Sequence, residues 1–209
     1  MVNLPPLHGG RDDATLLARV ATGDEQAFGV LFERYRAAVY RFARQMGGSA
    51  EAADDITQEV FVALMRTAAH FNPGLGSVTT YLYGITRNVV RQRLRKHATR
   101  REVELSRAPD DTPEFRATSC AHEDLEREQA LAALRRAIAA LPAHYREVIV
   151  LCELHELTYE DAARVVGCPI GTIRSRLNRA RRVLAERCRV SIHAPAPSGT
   201  LPATRRCLA

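Results

Sequence analysis

Apolar residues recur every three or four positions along most of this chain, and in the middle the recurrence stops. From Asp24 the series Phe28, Leu31, Phe32, Tyr35, Val39, Phe42 and Met46 is the stripe of one amphipathic helix. Ser49 is placed to cap a second, whose stripe is Ile56, Val60, Phe61, Leu64 and Ala68, and Asn72, Pro73, Gly74 and Gly76 in "FNPGLGS" end it. A third helix has Val78, Leu82, Ile85 and Val89 facing inward; a short one around Leu16, Leu17 and Val20 precedes them all and stops at Gly23. Residues 98–121, "ATRREVELSRAPDDTPEFRATSCA", mix charges and two prolines with few periodic apolar positions, as a mobile linker does. Beyond it Leu131, Leu134, Ile138 and Leu141 define a helix that Pro142 ends, and Tyr145, Val148, Ile149 and Cys152 define the next. Two more are expected at 158–166 and 171–188. No segment alternates as a half-buried strand would, so the expected fold is all-α: two small helical domains, 12–97 and 122–188, joined by a flexible linker at 98–121. The ends, 1–11 and the Pro/Ala-rich 189–209, are expected to be disordered.

The helices need little else to form cores, since 46% of the 209 residues are hydrophobic. The 30 Lys and Arg outnumber the 24 Asp and Glu, and the resulting +6 favours a polyanionic partner. Cys120, Cys152, Cys168, Cys188 and Cys207 include no C-x-x-C pair, and an odd number argues against a closed disulfide framework. The N-terminal "MVNLPPLHGGRDD" lacks the basic and apolar regions of a signal peptide, and no apolar run is long enough to span a membrane. A cytoplasmic location is expected.

The strongest functional signal is "GCPIGTIRSRLNRARR", residues 167–182. Thr158 followed by Asp161 resembles a capping box and starts a helix that points Tyr159, Ala162, Ala163 and Val166 one way. Gly167 ends it, Pro169 forbids its continuation, and Thr172 is placed to cap the following helix. Two short helices about a tight turn make a helix-turn-helix. On the second, Ile173, Leu177, Ala180 and Leu184 fall within about 60° of one another, and Arg174, Ser175, Asn178, Arg179 and Arg182 lie opposite. Arginine pairs with guanine and asparagine with adenine through two hydrogen bonds each, and a major groove admits one helix, so the polar side is a reading face. Seven arginines against the single Glu186 between 167 and 189 depart from the mixed signs of a merely solvated helix.

A second cationic run, "RNVVRQRLRKHATRR", extends the third helix. Thr80, Tyr83, Arg87 and Arg91 share the face opposite its apolar stripe, interleaving a ring with cations as suits single-stranded nucleic acid. A plain solvated face is the alternative, and Tyr81 reads as core. The second helix is the reverse: "EAADDITQE" carries Glu51, Asp54, Asp55 and Glu59 and no base. Such a face repels DNA and points to a protein partner, although acids in a first helical turn are favourable in their own right. No phosphate-binding loop, zinc-protease pair or nucleophile elbow occurs. Cys152 and His155 stand one turn apart and Cys120 is near His122, but neither pair completes a four-ligand pattern, so a free buried Cys and a surface His are expected. No cofactor, metal or enzymatic activity is expected.

Taken together, "GDEQAFGVLFERYRAAVYRFA", "DDITQEVFVAL", "TTYLYGITRNVV" and "LPAHYREVIVL" followed by "TYEDAARVVGCPIGTIRSRLNRAR" resemble, in order, segments of the extracytoplasmic-function sigma factors of bacterial RNA polymerase, within the sigma-70 family. The resemblance covers residues 12–187. It implies that Asp54, Asp55, Gln58 and Glu59 dock on the clamp coiled coil of the polymerase largest subunit. Phe71, the loop after it and Asn88 would hold a flipped base of the minus-10 element, and Tyr81, Tyr83 and Arg87 would stand where the duplex opens. Thr172, Arg174, Ser175, Asn178, Arg179 and Arg182 would read the minus-35 element. It also implies core RNA polymerase, promoter DNA and an anti-sigma factor as partners. The chain departs from the family pattern where tryptophan is common: it has Met65, which reads as a core substitution, and Tyr81, which keeps a stacking surface. Gly84 replaces a larger residue, and "ELHELT" replaces a glycine-containing turn before Thr158. A stand-alone helix-turn-helix regulator would explain 158–188 equally well, but leaves the acidic and interleaved faces of the first domain without a role.

Overall fold

The structure, a computed structural model, describes the backbone of residues 11–46, 48–104 and 122–193 and the side chains of 12–46, 48–96 and 129–188. The ends, and 105–121 of the expected linker, lie outside these residues. Within them the chain forms α1 (Arg11–Ala21), α2 (Glu25–Gln45), α3 (Ala50–Thr67), two single turns of tighter helix (Ala68–His70 and Pro73–Leu75), α4 (Val78–Glu104), α5 (His122–Ala139), α6 (Ala143–Ile149), α7 (Tyr159–Val166) and α8 (Ile170–His193). There is no strand among the described residues, as the single helical period requires.

Caps set the starts of the first-domain helices. Asp24 accepts the Ala27 N–H at 2.9 Å and opens α2; Ser49 Oγ accepts the Ala52 N–H at 3.1 Å and opens α3. Ser77 Oγ accepts the Thr80 N–H at 3.1 Å and does the same for α4. The stripes then meet: Leu31, Val39 and Phe42 of α2, Ile56, Val60, Phe61 and Leu64 of α3, and Val78, Leu82 and Val89 of α4 are buried together. Phe28, Phe32 and Phe61 close one end of this core, the last two edge to face at 4.8 Å. α1 is held by a buried carboxylate: Asp13 pairs with Arg34 and accepts the Tyr35 hydroxyl at 2.5 Å, which also lies 3.2 Å from Thr79 Oγ1.

In the second domain α8 is the spine, with α5, α6 and α7 packed on it. Leu141, Val148, Val150, Leu151, Ala162, Ile173, Leu177 and Ala180 are its most buried apolar residues. α6 passes into a wider turn, Val150–Leu154, and the chain leaves that turn through Glu156 at φ 54, the only left-handed non-glycine among the described residues. Glu156 therefore takes, within "ELHELT", a backbone conformation that glycine adopts most readily.

Several expectations are corrected. α4 continues through Glu104, into residues read as linker, and α8 continues through His193, into residues read as tail, because neither stretch contains a breaker before those points. Thr172 is not a cap: α8 starts at Ile170, and the Pro169 carbonyl accepts the Thr172 and Ile173 N–H groups at 2.9 and 3.3 Å. Leu131 and Leu134 are exposed, because of the described α5 side chains only Ile138 is turned fully inward, while Leu141 is buried from the turn that follows the helix. Met65 is exposed beside Val62 rather than in the core. His155 is not a surface histidine; it lies where the two domains meet.

Candidate nucleic-acid interface

The helix-turn-helix is assembled from local chemistry. Thr158 Oγ1 accepts the Asp161 N–H at 3.1 Å and donates to Asp161 Oδ2 at 2.8 Å, fixing the start of α7. Gly167, at φ 69 and ψ 45, stops it in the left-handed conformation, with its N–H on the Ala163 carbonyl at 2.8 Å. Pro169 then opens α8. Ile173, Leu177 and Ala180 are buried beneath α6 and α7, which leaves Arg174, Ser175, Asn178, Arg179 and Arg182 exposed on the opposite side, with Thr172 half-buried at its edge. The Arg174 guanidinium lies 6.0 Å from the centre of the Tyr159 ring, and Ser175 Oγ donates to the Thr172 carbonyl at 3.0 Å. Arg181, between them, is paired with Glu153 at 2.5 Å, whereas Arg174, Arg179 and Arg182 have no ion pair among the described residues. Uncompensated guanidinium groups on a solvent-facing helix suit a phosphate or a base edge.

The interleaved face of α4 is occupied differently. Thr80, Tyr83 and Arg87, expected on an open surface, face the second domain. Thr80 Oγ1 donates to Asp161 Oδ1 at 3.0 Å, an oxygen that also accepts from Arg164 at 2.8 Å. The Tyr83 hydroxyl lies 2.6 Å from His155 Nδ1, and His155 Nε2 lies 2.7 Å from Gln45 Oε1. Arg87 is ion-paired with Glu147 of α6. A fourth bridge is Arg146, which donates to the carbonyls of Met46, Leu141 and Ala139 and so answers the ends of α2 and α5 at once. Burial holds the Tyr83 hydroxyl protonated well above its ordinary range and lowers Arg146. Asn88 and Arg91 remain exposed further along α4.

Beside this interface, Phe71 and Tyr81 form a small aromatic shelf, ring centres 5.3 Å apart and planes at 57°, with the Tyr81 hydroxyl on the Thr67 carbonyl at 2.9 Å. Asn72 Oδ1 accepts the Gly74 N–H at 2.9 Å, and the loop that follows is exposed. Tyr81 is half-buried and packs against the core while keeping an accessible edge, between the two sequence expectations. On α3, Asp54, Asp55 and Gln58 are exposed and Glu59 is half-buried. Arg93 of α4 bridges Asp55 and Glu59, each at 3.1 Å, so of these four residues Asp54 and Gln58 have no side-chain partner among the described residues.

Sequence reasoning missed Asp13, Glu147 and Arg146, and it took His155 for a surface group. Asp161 was recognised as a cap, but its link to Thr80 was not. Each of these acts on a residue remote in sequence, and a single chain carries no signal for such pairs. Burial pushes the Cys152 thiol up to about 11, so it is held as the unreactive thiol. Cys152, Cys168 and Cys188 are free; Cys120 and Cys207 lie outside the described residues.

A helix-turn-helix with a cationic outer face, carried beside a helical bundle with its own cationic helix, defines a two-domain DNA-binding protein. The comparisons agree: residues 31–100 match Sigma-70 region 2 and residues 131–184 match Sigma-70, region 4. The chain is 32% identical over 185 residues to the RNA polymerase sigma-H factor of Pseudomonas aeruginosa, covering 82% of this chain and 91% of that one. It is 31% identical over 170 residues to the ECF RNA polymerase sigma factor SigE of Mycolicibacterium smegmatis, covering 79% of this chain and 64% of that relative's length. In the solved structures, it is similar to the sigma factor RpoE in complex with the anti-sigma factor NepR from Bartonella quintana, with a TM-score of 0.65, 26% identity, and 78% of this chain and 97% of that one covered. With 32% identity over 175 residues to the ECF RNA polymerase sigma factor SigM of Mycobacterium tuberculosis as well, covering 84% of each chain, the chain belongs to the extracytoplasmic-function (ECF) RNA polymerase sigma factors of the sigma-70 family. No helix among the described residues is long and apolar enough to cross a membrane.

Proposed function

We propose that this sigma factor binds core RNA polymerase in the cytoplasm, reads a minus-35 element with α8 and captures an unpaired minus-10 base with the first domain, without itself catalysing a reaction. The observation that carries the reading is the exposed face of Arg174, Ser175, Asn178, Arg179 and Arg182, whose arginines have no ion pair among the described residues, with Thr172 at its edge, on the second helix of a helix-turn-helix. Side chains of this kind bond to base edges in the major groove, while neighbouring arginines hold phosphates. In the first domain, Phe71 and Tyr81 offer rings for a base leaving the stack, Asn88 and Arg91 an exposed polar and an exposed cationic group further along α4, and Thr80, Tyr83 and Arg87 a second face of the same helix. Unstacking costs a few kcal/mol, which stacking and hydrogen bonds at such a shelf offset. Polymerase would hold both domains at promoter spacing, making the second contact effectively intramolecular.

Asp54, Asp55, Gln58 and Glu59 are the proposed docking face for the clamp coiled coil. Because Thr80, Tyr83 and Arg87 bond to Asp161, His155 and Glu147, minus-10 capture through them requires the second domain to move off α4. The minus-35 face needs no such movement. An anti-sigma partner, of the kind held by the Bartonella quintana relative, would act by keeping these faces from polymerase and DNA. Run-off transcription with core polymerase on a genomic promoter library tests the proposal. The expected result is a set of transcripts that core alone does not start; no new start would reject it.

A further inference from the structure

His155 is the residue at which the two domains are most completely interlocked. Its Nε2 faces the Gln45 side-chain carbonyl at 2.7 Å, so that nitrogen carries the hydrogen, and Nδ1 is left to accept from the Tyr83 hydroxyl at 2.6 Å. The ring sits edge-on to Phe42 at 5.8 Å and to Tyr83 at 5.1 Å. The neutral imidazole is thus fully satisfied. A second proton, on Nδ1, would meet the Tyr83 O–H, and the hydroxyl would have to turn its own hydrogen away.

Among the described residues, the charges around the ring offer the imidazolium no counterpart. From α2 comes the Arg41 cation together with Gln45; from α4 comes Tyr83, kept protonated by burial. On the α6 side Glu147 is already paired with Arg87, and Arg146 is a further cation bound to Met46. On its own segment Glu153 is paired with Arg181, and Glu156 is exposed.

We propose that His155 is a proton-operated latch: its neutral ring fastens the helix-turn-helix domain to α2 and α4, and its protonation releases that domain and uncovers Thr80, Tyr83 and Arg87. Burial first, then Arg41, pushes the imidazole from its ordinary 6.5 down to about 4 while the domains are closed. The closed form therefore binds fewer protons than the open one. Closure is at full strength above about 6.5 and weakens as pH falls from there toward 4. Between pH 7.5 and 5.5 the opening constant is expected to rise about tenfold. The latch rests on the packing of the two domains and not on promoter reading, so its test uses neither DNA nor polymerase.

A thiol introduced by Thr80→Cys is covered while the domains are closed and reacts when they part. Its rate of reaction with N-ethylmaleimide in the full-length protein, resolved by peptide mass mapping, is compared with the same substitution in His155→Gln and His155→Asn backgrounds. Taking the ratio cancels the thiol's own pH dependence. The ratio of the chain retaining His155 to either non-titrating variant is expected to rise about tenfold from pH 7.5 to 5.5. A ratio that stays flat, or equal acceleration in all three backgrounds, overturns the latch. So does a His155 imidazole that titrates at its ordinary 6.5 in the full-length protein by NMR, which decides the matter even if neither variant folds.

Discussion

Arg87 of α4 and Glu147 of α6 form an ion pair across the two domains with only 13% and 8% of their side-chain surfaces exposed. Removing one partner of such a pair leaves a buried charge uncompensated, at a cost of about 3–5 kcal/mol where the groups cannot escape to water. Here escape is available through domain separation. Glu147→Gln is therefore expected to shift the protein toward an open form rather than unfold it. Small-angle scattering at neutral pH should show a larger radius of gyration with unchanged helicity, and an unchanged radius would argue that the pair does not hold the domains.

Glu156 keeps a left-handed backbone that costs a non-glycine residue about 1–2 kcal/mol. Glycine removes that cost but adds about 0.5–1 kcal/mol of chain entropy to be lost on folding. Glu156→Gly is expected to stabilise the second domain by about 0.5–1 kcal/mol, read as a higher urea midpoint. A lower midpoint would mean that the Glu156 side chain contributes something its exposure does not suggest.

On α8 the two faces should fail in different ways. Arg174→Ala or Asn178→Ala is expected to weaken minus-35 binding by about 1–3 kcal/mol while leaving the melting curve in place. A loss uniform over promoter sequences would assign that side chain to phosphate, and a loss confined to one base pair would assign it to that base. Ile173→Ala, with Ile173 wholly buried, should instead cost about 2–5 kcal/mol of stability.

The acidic face of α3 is divided by Arg93, which engages Asp55 and Glu59 and leaves Asp54 free of any partner among the described residues. Asp54→Ala is expected to reduce affinity for core polymerase by about 1 kcal/mol or more, and Asp55→Ala by less. Competition binding against a labelled sigma factor measures both. A larger effect at Asp55 would show that Arg93 gives way when polymerase binds.

The sequence alone determined the local architecture. Helical periods, caps at Ser49 and Thr158, and breakers at Gly23, Pro142 and Gly167 act within a few residues, so one chain suffices to place them. The outer face of α8 was legible for the same reason: its apolar stripe fixes which side is buried, and its arginines must then lie opposite. The tertiary structure alone decided what covers α4. Its stripe marked Thr80, Tyr83 and Arg87 as a second face, but whether that face meets solvent, nucleic acid or protein depends on Asp161, His155 and Glu147, which lie 81, 72 and 60 positions away. Thr172, Leu131 and Met65 were misjudged because a helix's starting residue and the extent of its buried arc depend on what packs against it. Side-chain periodicity records that a surface is to be covered; only the path of the chain in space determines by what.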